Sequence, residues 1–230
     1  MNSNRKTAII VGILFIIGTL SGILSGIVTG SILDAPDYLV QINANETQII
    51  LGAFFVLLMG LSLTMVPILM FPIFKKENEA LALATVIFRG PLEATMYILM
   101  VVSWLLLILV SQEFVLSGQA DASQFQALGA VLLKMNDMIN PVLEIIFSLG
   151  ALMFYYLFYQ TRLIPRWLSG WGLIGAILYL AAGLMALFGT GMDYLLALLG
   201  LQEMVMAIWL IVKGFNAIEF STDPNKEMKF

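Results

Sequence analysis

Residues 79–112 read EALALATVIFRGPLEATMYILMVVSWLLLILVSQ. After Glu79, only Arg89 and Glu93 in this stretch carry a charge. A helix needs about 20 mostly apolar residues to cross a bilayer, and this run is longer than that. A charge at the centre of a membrane helix costs about 2.5–3.5 kcal/mol on insertion scales. The pair is therefore expected to be buried in a bundle and partnered rather than turned to lipid. The stretch sets the fold class: membrane-spanning helices around a polar centre.

The rest of the chain agrees. Of its 230 residues, 60% are hydrophobic and 11% charged, against about 25% charged in a soluble domain. The mean hydropathy is +0.97. The net charge of −4 says little about partners, because the charges are few. No basic patch interleaved with aromatics is present, which argues against nucleic acid. Cysteine and histidine are both absent. That excludes a disulfide, a thiol nucleophile, a Cys/His zinc site and a histidine general base.

Charge-free runs mark six spans, at about 7–33, 47–74, 79–112, 140–161, 167–192 and 194–212. The expected fold is an all-α, six-transmembrane-helix bundle forming one integral membrane domain over 1–230. With the N-terminus in the cytoplasm, ten of the 11 basic residues fall on the inner side or in the inner half of a span and only Lys134 outside. The positive-inside rule then places both termini in the cytoplasm. The acidic segments Asp34–Glu46 and Glu113–Asp121 fall outside. The first apolar run exceeds the 7–15 residues of a signal-peptide core, so it is expected to be retained. The tail from Asn216 onward is short and polar. Ala122–Met135 carries Phe125, Leu128, Val131 and Leu132 at helical spacing, as a surface helix or a cap on the bundle would.

Gly18, Gly22, Gly26 and Gly30 recur every fourth residue in the first span, flanked by Ser21, Ser25 and Thr29. Small stripes let two helices approach closely in lipid. Span five, with Gly170, Gly172, Gly175 and Gly183, is the expected neighbour. A homo-oligomer interface or a groove for a lipid chain are the alternatives. Pro67 and Pro72 are expected to kink span two. Trp167, Trp171, Tyr155, Tyr156 and Tyr159 read as interfacial anchors.

At 1.5 Å per residue, Arg89 lies about 15 Å from the inner end of span three and Glu93 about 21 Å. Glu203, ten residues before Lys213, lies about 15 Å from the inner end of span six. Arg89 and Glu203 thus share a level. Arginine has five donors and can bridge two carboxylates. A cluster of Arg89, Glu93 and Glu203 follows, with Gln202 or Tyr97 within reach. Asn136, Asp137, Asn140 and Glu144 are candidates for the outward mouth of the same cavity. Arg89 and Glu93 are also i and i+4, able to pair locally, although Gly90-Pro91 interrupts the turn between them.

Catalysis finds little support. No Gly-x-Ser-x-Gly elbow is present, and no closely spaced aspartates suit a metal–diphosphate site. No metal or cofactor is expected. The expected function is binding or translocation of a small or amphipathic molecule through the polar cluster, with the bilayer and a lipid or small-molecule ligand as partners. A non-catalytic accessory protein whose charges only fix helix packing is the second reading, and an intramembrane enzyme the third.

Met1-Asn2-Ser3-Asn4-Arg5-Lys6-Thr7, Asn78-Glu79-Ala80-Leu81-Ala82-Leu83, Phe88-Arg89 with the later Glu93, and Leu163-Ile164-Pro165-Arg166-Trp167-Leu168-Ser169 resemble the bacterial membrane-protein family known as domain of unknown function 4386. The resemblance covers nearly the whole chain. It implies a six-helix, multi-pass protein of a prokaryotic plasma membrane and brings no assigned activity or site residues. Gly90-Pro91 between the arginine and the glutamate departs from the family's pattern.

Overall fold

The computed structural model describes residues 3–117 and 122–216. The end of the acidic link, residues 118–121, and the polar tail, residues 217–230, lie outside the described residues. The described chain is all-α. It contains α1 (Ser3–Leu33), a short α2 (Tyr38–Ala44), α3 (Glu46–Phe74), α4 (Glu79–Ile87), a π-helical turn (Phe88–Leu92) and α5 (Glu93–Ser117). Then come α6 (Ala122–Thr161), α7 (Arg166–Leu187), a 3-10 turn (Asp193–Leu195) and α8 (Leu196–Val212).

Ser3–Leu33, Glu46–Phe74, Glu79–Ser117, Ala122–Thr161 and Arg166–Leu187 are long and apolar enough to cross a membrane. The sixth expected span is the shorter apolar helix Leu196–Val212. Many large apolar side chains on outward faces are exposed, among them Ile27, Leu61, Leu109 and Ile208. Helices that are apolar on every side belong in lipid. The chain is a multi-pass membrane protein by this measure.

The packing order is simple. α1 lies against α3, α3 against α4–α5, α4–α5 against α6, α6 against α7, α7 against α8, and α8 against α1. The long helices thus close a ring in the order of the sequence. The unit α4–α5 and the helix α8 stand on opposite sides of it.

Close approach in the ring is made by glycine. A Cβ on Gly18 would come 2.8 Å from Leu63, and one on Gly22 2.8 Å from Met59, both on α3. Gly52 of α3 leaves room for Thr29, and Ser25 Oγ donates to the Gly52 carbonyl at 2.9 Å. Nothing lies within 4 Å of a Cβ at Gly26 or Gly30. The contact face of α1 is Gly18, Ser21, Gly22, Ser25 and Thr29, rather than all four glycines. Its neighbour is α3, whereas the glycines of α7 serve α6 and α8: Gly172 admits Tyr155, Gly175 admits Leu199, and Gly183 admits Glu144.

Two boundaries differ from expectation for local reasons. Ala122–Met135 is the first part of the 40-residue α6 instead of a separate surface helix. No Gly-Pro or capping signal breaks the chain before Pro141, so the helix runs on. Pro67 and Pro72 both lie inside the one helix α3. The interruption lies at Gly90, with φ −106° and ψ −105°, inside the π-helical turn. α7 stops at Leu187, before the expected Met192, in a Schellman turn. There Gly189 takes φ +81°, its N–H bonds to the Ala186 carbonyl, and that of Thr190 to the Met185 carbonyl, both at 2.9 Å.

One end of the ring is filled with aromatics. Phe74, Phe154 and Phe158 meet edge to face with centroids 4.9–5.5 Å apart. At that end Arg5 reaches the last turn of α8 and donates to the carbonyls of Leu210, Ile211 and Val212 at 3.2, 2.7 and 3.1 Å. A helix C-terminus leaves such carbonyls unpaired and carries partial negative charge, so a guanidinium both caps and neutralises it. Gly214, at φ +78°, turns the chain away directly beneath Arg5.

Candidate polar site at the centre of the ring

The π-helical turn decides where Arg89 points. Pro91 has no N–H to give, and Gly90 adopts the non-helical angles that let the chain step past it. Arg89 and Glu93 both remain on the inward face, each only 1% exposed. From the wall formed by α4–α5, Arg89 reaches across to α8. Its Nη1 donates to Glu203 Oε1 at 3.2 Å, and its Nε lies 3.4 Å from Glu93 Oε2. The ion pair spans the middle of the ring.

Two tyrosines complete the cluster. Tyr97 donates to Glu93 Oε1 at 3.0 Å, and Tyr155 donates to Glu203 Oε1 at 3.2 Å. The guanidinium carbon lies 4.4 Å from the ring centre of Phe147, 5.7 Å from Phe154 and 5.9 Å from Phe15. Aromatic faces attract a cation, more so where water is excluded. Gly150 on α6 makes the approach possible, because a Cβ there would press on Arg89 Cγ at 2.5 Å.

The formal charges do not cancel. One guanidinium faces two carboxylates, which leaves one net negative charge if both are ionised. Nor are all the polar atoms satisfied: Arg89 Nη2 is buried without a hydrogen-bond partner in the protein, and Glu93 Oε2 has only the 3.4 Å ion pair with Arg89 Nε. Buried polar groups are nearly always bonded, so such orphans need a proton, a water or a ligand to account for them.

Asp137, Asn140 and Glu144 come together as well. With Pro141, they line a recess of about 480 Å³ against Ala186, Gly189 and Gly191 at the end of α7. Glu144 packs on Gly183, and Phe147 meets Tyr179 at 4.9 Å. Phe147 also stacks on the Arg89 guanidinium at 4.4 Å, so Tyr179 stands one ring away from the central cluster. Asn136 turns away from the recess. It donates to Ser103 Oγ at 3.0 Å and ties α6 to α5.

Two expectations need correction. Gln202 does not join the cluster: its Nε2 donates to the Leu168 carbonyl of α7 at 3.0 Å. Successive residues sit about 100° apart on a helix, so Glu203 facing the ring centre turns Gln202 toward α7. Tyr155 is fully buried at Glu203, whereas Tyr156, Tyr159 and Trp167 remain partly exposed, as anchors would be. The signal for Tyr155 was its spacing: it lies on the α6 face of Phe147, Ser148, Ala151 and Phe158, all of them buried.

Among the described residues no group of three or more His, Cys, Asp or Glu side chains is placed to hold a metal ion. The family model described as Domain of unknown function (DUF4386) matches residues 10–214. No curated protein and no solved structure matches the chain.

Proposed function

The chain belongs to the DUF4386 family, and on that premise we propose that it binds or translocates a small or amphipathic molecule through the Arg89–Glu93–Glu203 cluster. The observation that carries this reading is Arg89 Nη2, buried without a hydrogen-bond partner in a cluster of one guanidinium and two carboxylates. The charge balance favours a ligand that brings a positive charge or a proton over an anionic one, because Arg89 is already held by two carboxylates. The recess at Asp137, Asn140 and Glu144 is the entry this reading requires, with Tyr179 as the step between.

The same reading holds that α8 is a sixth span. Its 17 residues reach the lower bound for a crossing, and it closes the ring between α7 and α1. Both termini face the cytoplasm of a prokaryotic cell whose plasma membrane holds the protein. Support comes from the sorting of charge: Arg5, Lys6, Lys75, Lys76, Arg162, Arg166 and Lys213 sit at helix ends on one side of the ring, while Asp34, Asp37, Glu46 and Glu113 sit on the other.

A second reading rests on how closely Gly150 and Gly172 are moulded around Arg89 and Tyr155. In it the charges fix helix register and bind nothing. The two are separated by untargeted lipid and metabolite mass spectrometry on the purified protein, repeated with Arg89→Ala and Glu203→Gln. A small molecule that co-purifies with the natural protein and is lost from both variants is the expected result. Identical profiles for all three proteins would leave the register-fixing reading standing.

A further inference from the structure

Away from the central cluster, the basic end of α8 carries a groove of about 270 Å³ lined by Val205, Ile208, Trp209, Val212 and Lys213. Every lining residue except Lys213 is apolar or aromatic. Val205, Ile208 and Val212 follow i, i+3, i+7 spacing and form one stripe on the outward face, with Ile208 and Val212 well exposed. From Val205 to Lys213 the helix rises about 12 Å, close to the ~15 Å of hydrocarbon in one leaflet. The stripe ends in a single ammonium at the level where headgroups begin.

Among the described residues, the segments beside the groove carry cations and no exposed acid. α1 and α7, the two helices beside α8, contain no Asp or Glu, and the only acid of α8 is the buried Glu203. Arg5 and Lys6 arrive with the start of α1, which is bonded to the last carbonyls of α8. Arg162 and Arg166 arrive with the α6–α7 link, held there by the Asn216 side chain on the Arg162 carbonyl at 2.9 Å. Trp167 stands edge to face on Trp209 at 6.4 Å and ties the start of α7 to the groove.

We propose that this groove docks one anionic phospholipid, with its phosphate on Lys213 and an acyl chain along Val205, Ile208 and Val212. Charge complementarity selects the occupant: Lys213 lines the apolar strip, the segments held against that end of α8 carry Arg5, Lys6, Arg162 and Arg166, and among the described residues of these segments the buried Glu203 is the only carboxylate. A zwitterionic lipid would fill the strip equally well and would gain less from the charges.

The test uses the full chain, reconstituted in bilayer discs holding equal phosphatidylglycerol and phosphatidylcholine, with native mass spectrometry of the retained lipid. The natural protein should retain phosphatidylglycerol in preference. Lys213→Gln should cut that preference about fivefold, the worth of one basic residue beside an anionic leaflet. Lys213→Arg should keep it. Equal retention of both lipids by the natural protein, or an unchanged preference in Lys213→Gln, overturns the proposal. So does a lipid-free dimer that dissociates on Ile208→Ser, which would assign the face to a second copy of the chain.

Discussion

The two ends of the ring are built differently. At the basic end Phe74, Phe154 and Phe158 interlock, and Arg5 seals the last turn of α8. At the opposite end lie two recesses, of about 400 and 480 Å³, with Asp37 in the lining of one and Asp137 and Glu144 in that of the other. One end is plugged with rings and the other is indented and acidic. Arg89 lies between them, on the wall formed by α4–α5. The helices of both ends are equally apolar; what differs is whether glycine and aromatics bring them together or leave a gap.

The largest expected effect comes from removing the strut between the two halves. Arg89→Ala leaves Glu93 and Glu203 buried without their counter-charge. Breaking a buried pair from one side costs about 3–5 kcal/mol. Thermal unfolding of the purified protein should show a large drop in midpoint, and adding Glu203→Gln to the same chain should recover part of it. A midpoint unaffected by Arg89→Ala would mean that the pair holds nothing together.

A smaller effect belongs to the plugged end alone. Arg5→Gln removes the charge that caps α8 while leaving a side chain that can still donate. The loss should be about 1 kcal/mol, in the range for a cation at a helix C-terminus. It should appear as faster amide hydrogen exchange over residues 208–214, with the recess residues unchanged. Exchange that rises equally at both ends would erase the distinction between them.

The least perturbing experiment asks which end faces which compartment. The chain has no cysteine, so single cysteines can be added without clearing others. Asn140→Cys and Lys213→Cys are exposed positions, and each should change stability by less than about 0.5 kcal/mol. In intact cells a membrane-impermeant thiol reagent should label the first and spare the second. Labelling of both, or the reverse pattern, would break the assignment of inside and outside.

Much of this was legible in the sequence. Span length is a matter of counting apolar residues, and the shared level of Arg89 and Glu203 follows from the rise per residue. Because spacing fixes which residues of one helix share a face, Tyr97 was within sight of Glu93. Neighbour relations were not legible. A glycine stripe reports that something comes close without saying what, so α1 was matched to α7 when its partner is α3. The pattern of Ala122–Met135 suits a helix lying on a surface as well as one that extends a span beyond it. Tyr155 shared its composition with its anchoring neighbours, and only its place on the α6 face set it apart. Lys213 gave no sign of a groove, because a groove depends on how side chains turn.

The sequence-ordered ring also fixes the order of assembly. Each long helix meets the one made before it, and the ring shuts only when α8 docks on α1. Glu203 follows Arg89 by 114 residues, so at ~5–20 residues per second the ribosome delivers it about 6–23 s later. During that interval the guanidinium is already committed to the membrane with its lasting partner not yet synthesised. Glu93, one turn away on the same nascent helix, is then the only carboxylate within reach. The i, i+4 pair thus gives the cation a counter-charge on the helix that carries it, independent of the final helix.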